Sequence, residues 1–230
     1  MQRQPPEIDA DVTRPRTPRR RPASFGDLVV RQVDQALRTL AGVHERRRPN
    51  PAEGIAEPEL GARASRHAAG LMRVNHTGEI CAQALYQGQA LTARDPEVRE
   101  ALQQAAAEEA DHLAWCEERL SELGSGPSLL SPAFYALSYA MGAVTGLLGD
   151  RVSLGFVEAT EDQVCRHLER HLGSLPEQDA RSREIVRRMH EEEARHGSQA
   201  LERGGVEFPA PVKQAMTLLS KVMTETTYRI

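Results

Sequence analysis

The chain has 230 residues, a net charge of −4, 27% charged and only 4% aromatic side chains. Alanine, leucine, glutamate and arginine dominate, which favours helices, and β-branched and aromatic runs are too sparse for a sheet. Three singly placed cysteines, Cys81, Cys116 and Cys165, exclude Cys-x-x-Cys zinc and redox motifs and fit a reducing compartment, and no apolar N-terminal stretch marks a signal peptide.

Residues 1–23 are rich in proline and arginine, lack an apolar period and read as a disordered tail, solvated or drawn as a basic arm to anionic lipid. Residues 1–50 hold 11 arginines against 6 acids, so the balance of +5 there leaves −9 for the rest. Residues 24–56 read as a short helix, with apolar period through Phe25, Leu28, Val29, Val33, Leu37 and Leu40, followed by a linker. From residue 57 to 230 the helical signal is nearly continuous. A long helix is expected from about Pro58 to Ala93. Asp95 as N-cap and Pro96 at the first position open the next, which ends near Gly124. A third covers about 131–148, a fourth about 150–172, and a fifth opens at Ser174 to Pro176 and stops at Gly204-Gly205. A last helix starts near Pro209 or Pro211.

Two of these helices carry the same five-residue string. It stands once as Glu108-Glu109-Ala110-Asp111-His112 and again as Glu192-Glu193-Ala194-Arg195-His196. Each sets a carboxylate three residues before an imidazole, on one helix face. Two such pairs on facing helices can hold two metal ions, as in dinuclear carboxylate bundles. The two halves of the chain share a layout of helix, short turn and string-bearing helix. Two hairpins joined by a crossover of about 25 residues make an all-α, ferritin-like four-helix bundle with extra helices at both termini.

Such a centre needs one further carboxylate from each partner helix. Glu109 lies about 15 residues after the first turn, and Glu79 lies about 15 before it, at equal height. In the second hairpin Glu193 lies about 19 residues after Ser174 and Glu161 about 13 before it. That mismatch of about six residues is up to about 9 Å, which an irregular turn would partly absorb. Glu158 and Asp162 compete with Glu161 on this reasoning. Carboxylate oxygens mixed with two imidazoles suit iron or manganese better than a closed zinc site. His76, one turn before Glu79, is a candidate supporting group.

Leu123 to Gly149 is a run of 27 residues without a charge. That length qualifies as a membrane span, but Pro127, Pro132 and frequent Gly and Ser leave only about 18 usable residues. A crossover helix with one face on the bundle and the other dipping into lipid fits better. The bland alternative is a helix buried in the domain or in a dimer interface.

Taken together, these residues resemble the Coq7 family, the demethoxyubiquinone hydroxylases of ubiquinone biosynthesis. The likeness spans about Glu59 to Ile230. It rests on Arg73-Val74-Asn75-His76-Thr77-Gly78-Glu79-Ile80, both repeated strings, the apolar crossover and the segment around Glu161. The resemblance implies a ligand set of Glu79, Glu109, His112, Glu161, Glu193 and His196, with Glu109 and Glu193 bridging, and so chooses Glu161 where geometry left Glu158 open. It implies two iron ions per subunit, cycling between Fe2+ and Fe3+. The implied reaction is O2-dependent hydroxylation of a polyprenyl benzoquinol ring, with electrons from NADH or the reduced quinol. No Gly-x-Gly-x-x-Gly fingerprint supports a Rossmann NADH site. The resemblance also implies peripheral attachment to the cytoplasmic side of the cell membrane. It leaves room for a homo-oligomer and for a quinone-delivering accessory protein, and no nucleic-acid partner is expected. One departure is His167-Leu168, where animal members carry a His-Tyr pair. The rival readings are a ferritin-like iron store, a peroxide-handling dinuclear enzyme and a non-catalytic scaffold for a lipid-biosynthesis complex with a vestigial site.

Overall fold

A computed structural model describes residues 24–43, 46–56 and 59–230. The expected tail at residues 1–23 lies outside this range. Seven helices run in chain order and no strand occurs among the described residues: α1 Phe25–Leu40, α2 Ala62–Thr92, α3 Pro96–Glu122, α4 Ser131–Leu147, α5 Asp150–Ser174, α6 Ala180–Glu202 and α7 Ala210–Thr227. The chain divides into two compact units, Met1–Asp34 and Gln35–Ile230, with the division inside α1. In the first, Ser24 and Asp27 form a capping box: the Asp27 N–H donates to Ser24 Oγ at 3.2 Å and the Ser24 N–H to Asp27 Oδ2 at 2.8 Å.

Within the second unit, α2, α3, α5 and α6 form the bundle. α3 starts as the sequence predicts, with Pro96 at its first position and the Asp95 side chain accepting from the Glu97 N–H at 2.8 Å. Two starts differ from expectation. α2 begins at Ala62, with Gly61 extended ahead of it. α6 begins at Ala180, since Asp179 and not Ser174 caps it: the Asp179 carboxylate accepts the Ser182 N–H at 2.9 Å and the Arg119 guanidinium at 2.8 Å.

The later start of α6 removes the height mismatch in the second hairpin. Glu161 stands 13 residues before the end of α5 and Glu193 stands 13 after the start of α6. In the first hairpin Glu79 and Glu109 stand 13 residues from the same two ends. Each carboxylate is thus about 20 Å from its turn. The two turns lie at opposite ends of the bundle. Apolar packing closes both ends, through Trp115, Leu120, Ile185 and Met189 at one and Tyr86, Leu102, Leu154 and Val157 at the other. The carboxylates therefore sit between two apolar plugs.

α4 carries the chain from one end back to the other, and this lets α3 and α5 run parallel, as a ferritin-like crossover requires. It lies along α2 at backbone distance. A Cβ on Gly88 would fall 2.2 Å from the Tyr139 carbonyl oxygen, and one on Gly142 would fall 2.2 Å from that of Leu85. Gly146 repeats the contact against Thr92. Leu148 and Gly149 then turn the chain into α5, with Gly149 at φ 118°, a conformation glycine alone adopts cheaply. No helix among the described residues is long and apolar enough to cross a membrane.

Replacing Gly88 by alanine forces its new methyl into the α4 backbone, and the expected loss is about 3 kcal/mol in urea unfolding. Gly78→Ala, in the same helix with nothing within 4 Å of the added Cβ, instead holds stability or raises it by up to about 1 kcal/mol. Equal effects at the two positions would refute a glycine-seated α4.

Candidate metal centre

The six predicted residues come together at mid-bundle. Glu79 from α2, Glu109 and His112 from α3, Glu161 from α5 and Glu193 and His196 from α6 are all buried. Glu79, Glu109, His112 and Glu193 offer donor atoms within 4.8 Å of one another, and so do Glu161, Glu193 and His196. The arrangement is close to two-fold. Glu109 presents Oε2 to His112 Nδ1 at 2.9 Å and Oε1 to His196 Nδ1 at 3.2 Å. Glu193 presents Oε1 to His112 Nδ1 at 3.0 Å and Oε2 to His196 Nδ1 at 3.2 Å. Both carboxylates therefore span the gap between the imidazoles. Glu79 approaches His112 at 3.4 Å, and the Tyr86 hydroxyl donates to Glu161 Oε1.

The competing acids point elsewhere. Glu158 pairs with Lys213 of α7 at 2.9 Å, and Asp162 with Arg166 at 2.7 Å. His76 is buried on α2, one turn before Glu79.

The donor chemistry fits two divalent cations. Each imidazole Nδ1 faces two or three carboxylates but has one proton to give. Glu109 Oε1, Glu161 Oε2 and Glu193 Oε1 are left buried without a hydrogen-bond donor. Unpartnered carboxylate oxygens in a dry interior are costly unless a cation meets them. Four carboxylates and two neutral imidazoles balance two 2+ ions. Protonation equilibria show the same excess of negative charge. Burial, then the neighbouring Glu193 charge, pushes the Glu79 and Glu161 carboxyls far up. Burial opposes ionisation of Glu109 as well, but the His112 charge and hydrogen bond outweigh it and hold Glu109 low.

Two residues of the repeated strings have a role that spacing did not reveal. The outer nitrogen of each imidazole donates to the leading glutamate of the other string: His112 Nε2 to Glu192 at 2.8 Å, and His196 Nε2 to Glu108 at 2.9 Å. These crossed bonds fix both rings with Nδ1 inward. The doubled glutamate in both strings was the available signal. Tyr86 was equally unforeseen, although it lies two turns after Glu79 on the same face of α2.

An apolar cavity of about 350 Å3 opens beside the centre, between α2, α4, α5 and α7. Glu79 is one of its walls, with Leu85, Phe134, Met141, Phe156 and Met223. α7 was foreseen as a helix but not as a wall of this cavity. It is fixed at its ends, by Lys213 to Glu158 at 2.9 Å and by the Tyr228 hydroxyl to His67 at 2.7 Å. Between them Leu218, Leu219 and Val222 are about two-thirds exposed, as are Leu147 and Leu148 at the end of α4.

The helical order, the crossover and the mid-bundle cluster define a ferritin-like helical bundle. Residues 66–227 match the family described as "Ubiquinone biosynthesis protein COQ7". The chain belongs to that family. It is 62% identical over 208 residues to the 3-demethoxyubiquinol 3-hydroxylase of Azotobacter vinelandii, covering 90% of this chain and 97% of the relative. It is 59% identical over 214 residues to the enzyme of that name from Stutzerimonas stutzeri, covering 93% of this chain and all of the relative.

Two histidines beside the cavity set a pH limit. Burial holds His171 down at about 3 and His167 at about 4, while His171 donates from Nδ1 to Asn75 at 2.7 Å. A depressed imidazole contributes stability that is complete above the unfolded value near 6.5 and is lost as pH falls toward the folded value. Between pH 6.5 and 5 the folded protein should lose roughly 2 kcal/mol through His171. Urea titrations at the two pH values measure this, and His171→Gln should flatten the slope.

Proposed function

We propose that this chain is a di-iron monooxygenase that hydroxylates the ring of a polyprenylated 3-demethoxyubiquinol in ubiquinone biosynthesis. The observation that carries the reading is the apolar cavity that ends on Glu79 of a buried carboxylate–imidazole cluster. The reaction converts a ring C–H, O2, two electrons and two protons into a ring C–OH and water. Two iron ions held by Glu79, Glu109, His112, Glu161, Glu193 and His196 would supply the O2 and electron chemistry. Glu109 and Glu193, which span the two imidazoles, would bridge them. The protein itself does the rest. Glu108 and Glu192 hold the imidazole rings in one tautomer. Tyr86 holds one oxygen of Glu161 and leaves the other free to face a cation. Leu85, Phe134, Met141 and Phe156 exclude water and present the ring to the Glu79 side.

The polyprenyl tail explains why a polar centre opens onto an apolar groove. The exposed faces of α4 and α7 flank that groove, and we assign them to a membrane surface, where the tail stays in lipid while the ring enters. Iron storage or peroxide handling would leave the groove and both faces without a purpose. The electrons come from NADH or from the quinol.

Cells lacking this chain should accumulate the demethoxy quinone, and the wild-type gene should restore ubiquinone. Glu193→Ala should fail to restore it and should purify with less than half the iron of the wild type, by elemental analysis. Normal ubiquinone in the null strain sinks the proposal. For the membrane assignment, wild-type protein should co-sediment with phosphatidylglycerol–phosphatidylethanolamine vesicles. The double variant Leu219→Glu, Val222→Glu should bind at least tenfold more weakly with unchanged circular dichroism. Equal binding would return these faces to another use.

A further inference from the structure

The two halves of the centre share their inner residues but not their outer support. Glu192, which receives His112 Nε2, is buried, whereas the Glu108 side chain, which receives His196 Nε2, is 32% exposed. Apart from His196, Glu108 is met by Gln104 Nε2 one turn back on its own helix at 3.2 Å and by Arg195 at 3.9 Å, both in exposed positions. Glu192 is held far more firmly. Arg48, in the segment ahead of the bundle and itself 32% exposed at the side chain, extends Nη1 to the buried Glu192 Oε1 at 2.6 Å and Nε to the buried Asp111 Oδ2 at 2.7 Å. Its guanidinium carbon lies 5.0 Å from the Trp115 ring centre, and that ring packs beside His112. The fork thus ties Glu192 on α6 to Asp111 on α3, the residue before His112.

The backbone around Arg48 is fixed as well. The N–H groups of Arg47 and Arg48 donate to Asp111 Oδ1 at 2.6 and 3.3 Å. Asn50 Nδ2 donates to Glu118 at 2.9 Å, and Asn50 Oδ1 accepts from the Ala52 N–H at 2.9 Å. Residues 46–52 therefore form a strap pinned along α3. Arg188 also reaches Glu192 Oε1, at 2.6 Å, but from an exposed position one turn back on the same helix, where an ion pair adds little. It joins no second helix to Glu192.

We infer that Arg48 is a positioning residue: through Glu192 it fixes His112 and makes the His112 half of the centre the tighter of two unequal metal positions. The inference rests on the dinuclear reading above. A ligand ring whose outer carboxylate is immobilised loses less freedom on binding, and disturbing such outer partners typically weakens metal binding by 10–100-fold. Lysine cannot replace the arginine, because a single ammonium does not span two carboxylates in one plane.

The test is an anaerobic titration of the full-length, metal-free chain with Co2+ and with Fe2+, followed by calorimetry and by Mössbauer spectra of 57Fe-loaded samples. The wild type should bind two ions with unequal affinity and give two ferrous environments. In Arg48→Ala the tighter class should weaken at least tenfold while the weaker class and its spectrum stay as they were. Arg48→Lys should behave like the alanine variant. Glu192→Gln removes the same tie from inside the bundle and should reproduce the selective loss, which keeps the test decisive if Arg48 variants fold poorly. Wild-type binding in Arg48→Ala and Glu192→Gln, rescue by lysine, or equal weakening of both classes would overturn the inference and leave the dinuclear reading intact. A wild-type chain that binds no divalent ion would overturn both.

Discussion

The constraint on which the rest depends is the burial of four carboxylates and two imidazoles at the centre of a narrow bundle. Ionised carboxylates in a dry interior are tolerable only with compensating charge. The fold supplies part of that compensation through the imidazoles and Tyr86, and it leaves three oxygens without donors. Folding alone gains little from such a group. It persists because the surrounding apolar ends are well packed, with Trp115, Leu120, Ile185 and Met189 on one side and Tyr86, Leu102 and Leu154 on the other. Those layers contribute the stability against which the polar centre is held.

Equal register is how the bundle brings these groups to one height. Four helices each deliver a carboxylate 13 residues from a turn. That regularity was only half legible in the sequence. Asp95-Pro96 announces its helix start unambiguously, so spacing alone sets Glu79 and Glu109 at matching heights. Ser174 to Pro176 imitates a start, yet the true cap is Asp179, chosen because Arg119 from α3 meets its carboxylate at 2.8 Å. A cap decided by a residue 60 positions away cannot be read from a local window. Spacing therefore leaves Glu161 open against Glu158, whereas Glu158 is held by Lys213 of a helix still further along.

The crossed support of the imidazoles was hidden for a related reason. Helical periodicity shows that Glu108 and Glu192 precede Glu109 and Glu193, and it turns them about 100° away around the helix. Only the packing of α3 against α6 shows that each then faces the other helix's histidine. The apolar groove was legible in one wall. The uncharged run from Leu123 to Gly149 pointed to α4, whereas α7 has ordinary composition. Its part emerges from ties to Glu158 and His67, both distant in sequence.

The seating of α4 sets the character of that groove. Where Gly88 and Gly142 bring two backbones together, no side chain remains to adjust the spacing. The position of α4 against α2 is fixed by main-chain geometry. The facing wall, α7, is anchored at its ends and presents two methionines, Met216 and Met223, to the groove, against one, Met141, beside Phe134 and Leu137 on α4; unbranched thioethers repack readily. One side therefore acts as a rigid gauge and the other as a compliant lining. A gauge discriminates flat rings by thickness, while a soft lining accepts chains of any length. Selectivity would then reside in the flat part of the molecule admitted and not in the length of any chain attached to it.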